Sequence, residues 1–288
     1  MGIFKAAAIQ MRSGKEPGRN VVDFEALVRE AAGKGATYVQ TPEMTGAIIR
    51  DKADRARAFK AERDDEIVAA ARRLSAELGI TLHVGSTGIL RDDGKIANRA
   101  FLFTPDGTLA ARYDKIHMFD VDLDNGESWR ESATYEPGRE ALVADIGVAR
   151  LGFAICYDLR FPQLFRAEAL AGAEVLTVPA AFTRQTGEAH WHILQRARAI
   201  ENGAFVIAAA QGGVHEDGRE TFGHSLIVDP WGKILAEADH DEPGVIVAEI
   251  DTALSAEARR KIPNLRNARE FAAANVSAVP VAFRGAAS

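Results

Sequence analysis

Cysteine is almost missing from this 288-residue chain, in which Cys156 stands alone. An internal disulfide is thereby excluded, and the single thiol serves either as core filler or as chemistry. Apolar runs of membrane-spanning length are missing too. So is a charged start followed by an apolar stretch and a small-residue cleavage site, and a cytoplasmic protein that stays out of membranes is expected. No surplus of positive charge exists, since 35 Lys and Arg face 41 Asp and Glu for a net charge of -6. The basic residues are scattered among acidic ones, so nucleic acid is not an expected partner. No Pro-, Gly- or Ser-rich linker, internal repeat or low-complexity tract divides the sequence. One domain over residues 1–288 is expected, with 271–288 as a C-terminal tail. What the chain does have is apolar residues, 47% of the total, enough for a large core.

These residues alternate between two periods. Residues 3–11, 36–43 and 81–90 read as strands, with helices over 21–35, where Val22, Leu27, Val28 and Ala31 fall near helical spacing, and over 66–79. Residues 98–115 form two strand-like arms around Pro105-Asp106-Gly107, the composition of a hairpin turn. A polar stretch follows from Ile116 to Glu140. The run 148–156 is then almost wholly apolar and reads as a strand covered on both faces, with Cys156 at its end. Further strands are expected at 174–181, 204–211 and 224–229, a helix at 190–203, and a hairpin turn at Asp229-Pro230-Trp231-Gly232. This alternation specifies a layered α/β protein. The pattern alone does not choose between an open sheet, a barrel and two stacked sheets.

A free cysteine in an apolar strand is most often inert filler. Here the thiol sits at a strand's carboxyl end, a tight turn follows, and Pro162 can open a helix at its first position, which is the geometry of a nucleophile elbow. Backbone N–H groups in such a turn can stabilise an oxyanion, and the helix N-terminus is expected to lower the thiol pKa. A thiol attacking an amide needs a base and then an acid for the departing nitrogen, roles one carboxylate can fill in turn. Glu43 and Lys115 each end a predicted strand on the rim where Cys156 should emerge. Singly, either would be an ordinary surface charge. Together with the thiol they make a site.

Other polar residues suggest less. His190 and His192 are two apart on a predicted helix and point to different sides, so with His215 and His224 they are assigned to packing and no metal site is expected. Gly85, Gly88 and the other glycines do not form a strand, Gly-rich loop and helix in series, so no nucleotide cofactor is expected. Arg160, four residues past the thiol, could clamp a substrate carboxylate bidentately or pair internally with Asp158. A redox role for Cys156 lacks a resolving cysteine.

Six segments together resemble the carbon–nitrogen hydrolase (nitrilase) superfamily: TPEMTG (41–46), YDKIHMFDVD (113–122), GFAICYDLRFPQL (152–164), PAAFTRQTGEAHW (179–191), RARAIENGAFVIAAAQ (196–211) and FGHSLIVDPWG (222–232). The resemblance spans most of the chain and is strongest to the Nit branch, the deaminated glutathione amidases and the neighbouring omega-amidases. It weakens after residue 270. It implies a four-layer αββα sandwich, at least a homodimer formed through helices near the elbow, and hydrolysis of a small-molecule amide through a thioester, without a cofactor. It further implies Cys156 as nucleophile, Glu43 as base and then acid, Lys115 as the oxyanion's cation and the Tyr157 N–H as its second donor. A second glutamate completes the family's site, Glu131 by its spacing before Pro137-Gly138, with Glu127 the alternative. An N-carbamoyl amino acid amidohydrolase would carry the same triad, and a noncatalytic binding protein on this fold would retain it only by coincidence. The segment 208–225 is more similar to the deaminated glutathione amidases, whose loop over 212–221 is expected to border the leaving group.

Overall fold

The computed structural model describes residues 2–122, 126 and 128–272. Strand β1 (Ile3–Gln10) leads into helix α1 (Pro17–Gly33), β2 (Tyr38–Gln40), α2 (Lys52–Ala58), α3 (Glu66–Leu78), β3 (Thr81–Leu90), β4 (Ile96–Phe103) and β5 (Leu109–Asp114). The polar stretch contains two short strands, β6 (Asp120–Asp122) and β7 (Ser128–Arg130), before β8 (Val143–Asp145) and β9 (Arg150–Phe153). Then come α4 (Pro162–Leu170), β10 (Val175–Thr177), α5 (Arg184–Asn202), β11 (Phe205–Ala208), β12 (Gly212–Val214) and β13 (Glu220–Phe222). The series ends with β14 (Leu226–Val228), β15 (Ile234–Glu237), β16 (Gly244–Asp251) and α6 (Ala253–Lys261).

Two six-stranded sheets result, in the orders β16-β1-β2-β3-β4-β5 and β15-β14-β11-β10-β9-β8. Each has three parallel strands at its centre, β1-β2-β3 and β9-β10-β11, flanked by antiparallel neighbours. Side-chain alternation then sorts the layers. On β1, Ala7 and Ile9 pack with Phe24 and Val28 of α1 and Ile67 and Leu74 of α3. Their alternates Phe4, Ala6 and Ala8 join the core that holds Phe153 of β9, Val206 of β11, Phe165 of α4 and Trp191 of α5. The order of layers is helices, sheet, sheet, helices, the expected αββα sandwich. Each large apolar side chain buried in full contributes about 1.5–3 kcal/mol. Among the described residues no helix is long and apolar enough to cross a membrane.

The differences from the expected elements have local causes. Helix α1 starts at Pro17, four residues early, because proline suits a first helical turn. Its buried face is consequently Asn20, Phe24, Val28 and Ala31, while Val22 is exposed. Helix α5 starts at Arg184, six residues before the expected start. The strand expected over 148–156 is hydrogen-bonded as one only from Arg150 to Phe153, so Cys156 lies beyond it. Most of the C-terminal tail, from residue 273, is outside the described residues.

Candidate active site

Cys156 opens a short 3-10 turn, Cys156–Arg160, with its own backbone left-handed at φ 50°. For a residue with a side chain this conformation costs about 1–3 kcal/mol and persists only where neighbours fix it. Here the Cys156 N–H donates to the Pro179 carbonyl at 2.9 Å, and Asp158 reaches back to accept from the Ile155 N–H at 2.9 Å. Fully buried Asp158 also accepts from the Tyr113 hydroxyl at 2.8 Å and the His117 N–H at 2.9 Å. It thus ties the elbow to the end of β5, where Lys115 follows. Asp158 is therefore committed elsewhere than to Arg160.

Two glycines permit the approach of the remaining pieces. A Cβ on Gly85 of β3 would lie 2.0 Å from the Thr41 carbonyl oxygen and 2.4 Å from Pro179 Cβ. The segments leading to Glu43 and away from β10 can therefore close over it. A Cβ on Gly138 would lie 2.1 Å from the Asp114 carbonyl oxygen, and the Gly138 N–H donates to the Lys115 carbonyl at 2.8 Å.

The assembled group is dense and nearly dry, with Glu43 4%, Lys115 2% and Cys156 8% exposed. Lys115 Nζ donates to Glu43 Oε1 at 2.9 Å and to both oxygens of Glu131, at 2.9 and 2.8 Å. Glu43 Oε2 accepts from the Ala181 N–H at 2.9 Å, and Glu131 Oε2 from the Phe119 N–H at 2.7 Å. Asn98 Nδ2 bridges the two carboxylates at 2.9 and 3.3 Å. Glu127, the alternative second glutamate, lies outside the described residues.

Ionisation follows from this packing. Burial alone would raise the Glu43 carboxyl pKa, but the Lys115 charge and the hydrogen bonds outweigh it and hold it below the usual value. Burial opposes the Lys115 charge as well, yet Glu131 and Glu43 hold its pKa well above that of a free lysine. Cys156 behaves contrary to expectation. Burial, and then the Glu43 charge, push its thiol well above the ordinary range, and Lys115 offsets this only in part. The resting group is therefore carboxylate, ammonium and neutral thiol. Such a thiol needs a base beside it, and Glu43 is the ionised group that stands there.

These residues open on a cavity of about 320 Å³, lined also by Phe119, Trp129, Tyr135, Tyr157, Phe182 and Thr183. Of the residues singled out from sequence, Glu43, Lys115, Glu131, Cys156 and Tyr157 line it and Arg160 does not. Arg160 lies over the ring of Phe182, 5.3 Å from its centroid, within 3.4 Å of His190 Nδ1. His192 turns the other way, to Glu237 at 2.6 Å, with His224 Nδ1 3.5 Å from the same oxygen. The ligand atoms of these three groups lie within 4.8 Å of one another. His215 is buried between the Ser13 carbonyl and Thr221.

Asn98 escaped the sequence reading, although an asparagine inside the apolar run of β4 disfavours a strand and signals a buried polar task. The cavity arginines escaped it too, because residues 50, 55, 130 and 219 share no spacing.

The comparisons decide the family. Residues 5–260 match the model of the carbon-nitrogen hydrolase family, described as "Carbon-nitrogen hydrolase". The chain belongs to the carbon–nitrogen hydrolase family. It is 40% identical over 266 residues to a deaminated glutathione amidase of Yersinia enterocolitica, covering 91% of this chain and 92% of that one. It is 35% identical to an omega-amidase of Homo sapiens over 93% of this chain and 96% of that one. The crystal structure of the NitFhit protein of C. elegans superposes with a TM-score of 0.87 at 32% identity, covering 93% of this chain and 66% of that longer one. As a carbon–nitrogen hydrolase of this branch, the chain is an amidase acting on carbon–nitrogen bonds other than peptide bonds.

Proposed function

We propose that this protein cleaves its amide through a thioester on Cys156. The observation that carries the reading is one lysine, almost wholly buried, held between two carboxylates beside a neutral thiol in a single cavity. As the sulfur–carbon bond forms, Glu43 takes the thiol proton, and the oxyanion is stabilised by the Lys115 ammonium and the Tyr157 N–H at the start of its turn. When the carbon–nitrogen bond breaks, Glu43 returns that proton to the departing nitrogen. Water then attacks the thioester, giving one proton to Glu43 and its hydroxyl to the carbonyl carbon, and the proton finally restores the thiol. Glu131 keeps Lys115 charged and oriented throughout. Glu43→Gln keeps the shape without the basicity, so both half-reactions should slow by about 100-fold or more. A wild-type rate would remove Glu43 from the mechanism.

The substrate we assign is deaminated glutathione, an amide of a 2-oxo acid whose leaving group is a dipeptide. Support comes from the relative of that name and from the loop over 212–221, a β12–β13 hairpin whose Arg219 lines the cavity. The expected order of kcat/KM is deaminated glutathione first, 2-oxoglutaramate second and N-carbamoyl amino acids last. Side-by-side kinetics decide it, and a preference for either of the latter two would overturn the assignment while leaving the triad in place. One domain and a cytoplasmic location belong to the same reading. So does a homodimer or larger assembly through α4 and α5, which leave Leu170, Ile193 and Ile200 exposed.

A further inference from the structure

Five cationic side chains line the cavity, Lys115 and Arg50, Arg55, Arg130 and Arg219, against two carboxylates, Glu43 and Glu131. In a protein of net charge -6 this local excess calls for an anionic ligand. The lysine is already neutralised by the two glutamates. Arg130 is spent on both oxygens of Asp122, at 2.9 Å, and on the carbonyls of Val121 and Trp129.

Arg50 and Arg219 differ in their surroundings. They are far apart in the sequence and meet at one indole, their Cζ atoms 4.5 and 4.6 Å from the Trp129 ring centroid. Among the described residues Arg50 has no carboxylate within ion-pair distance. Arg219 Nη2 has Asp217 at a long 3.5 Å, and its Nε is buried without a hydrogen-bond partner. An unpaired guanidinium N–H out of water is costly, and two like charges sharing one ring repel. A guanidinium packed against a ring still presents donors at its edge, in the fork that fits a carboxylate. A bound carboxylate on the terminal nitrogens of the two guanidinium groups would relieve the repulsion.

We propose that Arg50 and Arg219, braced by Trp129, bind the terminal carboxylate of the leaving group. This rests on the substrate reading above and adds the residues that make the dipeptide preferred over ammonia. Arg219 sits on the β12–β13 hairpin and Arg50 follows the Glu43 segment, so the clamp joins two separate segments of the cavity wall. The acyl half is left to the walls nearer the thiol.

Arg50→Gln and Arg219→Gln should each lower kcat/KM for deaminated glutathione by about tenfold or more, the effect of losing one charge-assisted contact. Turnover of 2-oxoglutaramate, whose leaving group is ammonia, should change by less than about twofold. Deaminated glutathione with its terminal carboxylate converted to the amide should be a poor substrate of the wild-type protein and lose little more in either variant. Unchanged melting temperatures will show that the variants fold. Equal losses on both substrates would overturn the clamp by moving its action to the acyl half or the fold, and no loss on either would overturn it outright. If the wild-type protein fails to cleave deaminated glutathione, the substrate reading falls, and the clamp is judged separately by inhibition of 2-oxoglutaramate hydrolysis. Stronger inhibition by the dipeptide Cys-Gly than by its amide, abolished in both variants, would support it. Equal inhibition by the two would overturn it.

Discussion

Replacing Cys156 by alanine should lower turnover by about 10,000-fold or more, the scale seen when the nucleophile is removed from residues that act as a unit. The fold should survive. The side chain is small, its sulfur is hydrogen-bonded to Glu43 and the Ala181 N–H, both outside the turn, and the constraints on the turn come from the Cys156 N–H and from Asp158. Alanine must still adopt the left-handed backbone there, a cost the wild-type residue bears equally. Activity in this variant above about one-hundredth of wild type would sink the thioester mechanism. A collapsed fold would instead show that the thiol's packing had been misjudged, and Cys156→Ser, closer in shape and hydrogen bonding, would then carry the test.

Lys115→Met should have the second largest effect, and on two properties together. Activity should fall by about 1,000-fold, because the oxyanion loses its cation and Glu43 loses the partner that keeps it ionised. Stability should fall by about 3–5 kcal/mol, since the buried Glu43 and the partly buried Glu131 carboxylates are left facing one another. The pH dependence has a definite sign. Without Lys115, burial raises the folded-state pKa of Glu43 above its unfolded value, so the variant binds protons on folding. Its stability is best preserved below about pH 4 and is lost as pH rises through the new folded pKa. Denaturant titrations at several pH values measure this. A second change, Glu43→Gln on top of Lys115→Met, should recover much of the stability and none of the activity. A stability deficit that shrinks with rising pH would contradict the charge account.

The legibility of the sequence was uneven, for physical reasons. Alternation within β1, β3 and β4 and the helical period of α3 reported the layers well, because burial on one or both faces imposes a strict period. The stacking of two sheets was not in those periods. A buried strand reads the same whether its second face meets a helix or another sheet, and only the resemblance supplied that choice. The helix starts differ from the apolar period at Pro17, where proline suits the first turn, and at Arg184, where the first turn is polar and carries no apolar signal. In the site, the three strand-end residues could be read because each ends a patterned segment. Asn98, Asp158 and the arginines around Trp129 could not be brought together in the same way, since their meeting depends on tertiary closure across sequence separations of tens to more than a hundred residues. The thiol's ionisation was misread for a related cause. A sequence displays the turn that would lower it, but not the burial and the neighbouring carboxylate that raise it.

The central claim is a covalent acyl group on one sulfur, and rapid acid quenching of the wild-type protein during turnover tests it most directly. Mass analysis of the quenched protein, followed by peptide mapping, should find the acyl half of the substrate on the peptide containing Cys156, absent from Cys156→Ala under the same conditions and removed by hydroxylamine, which cleaves thioesters. An acyl group on any other residue, or isotopic evidence that water attacks the amide in one step with no enzyme-bound acyl group, would contradict the account.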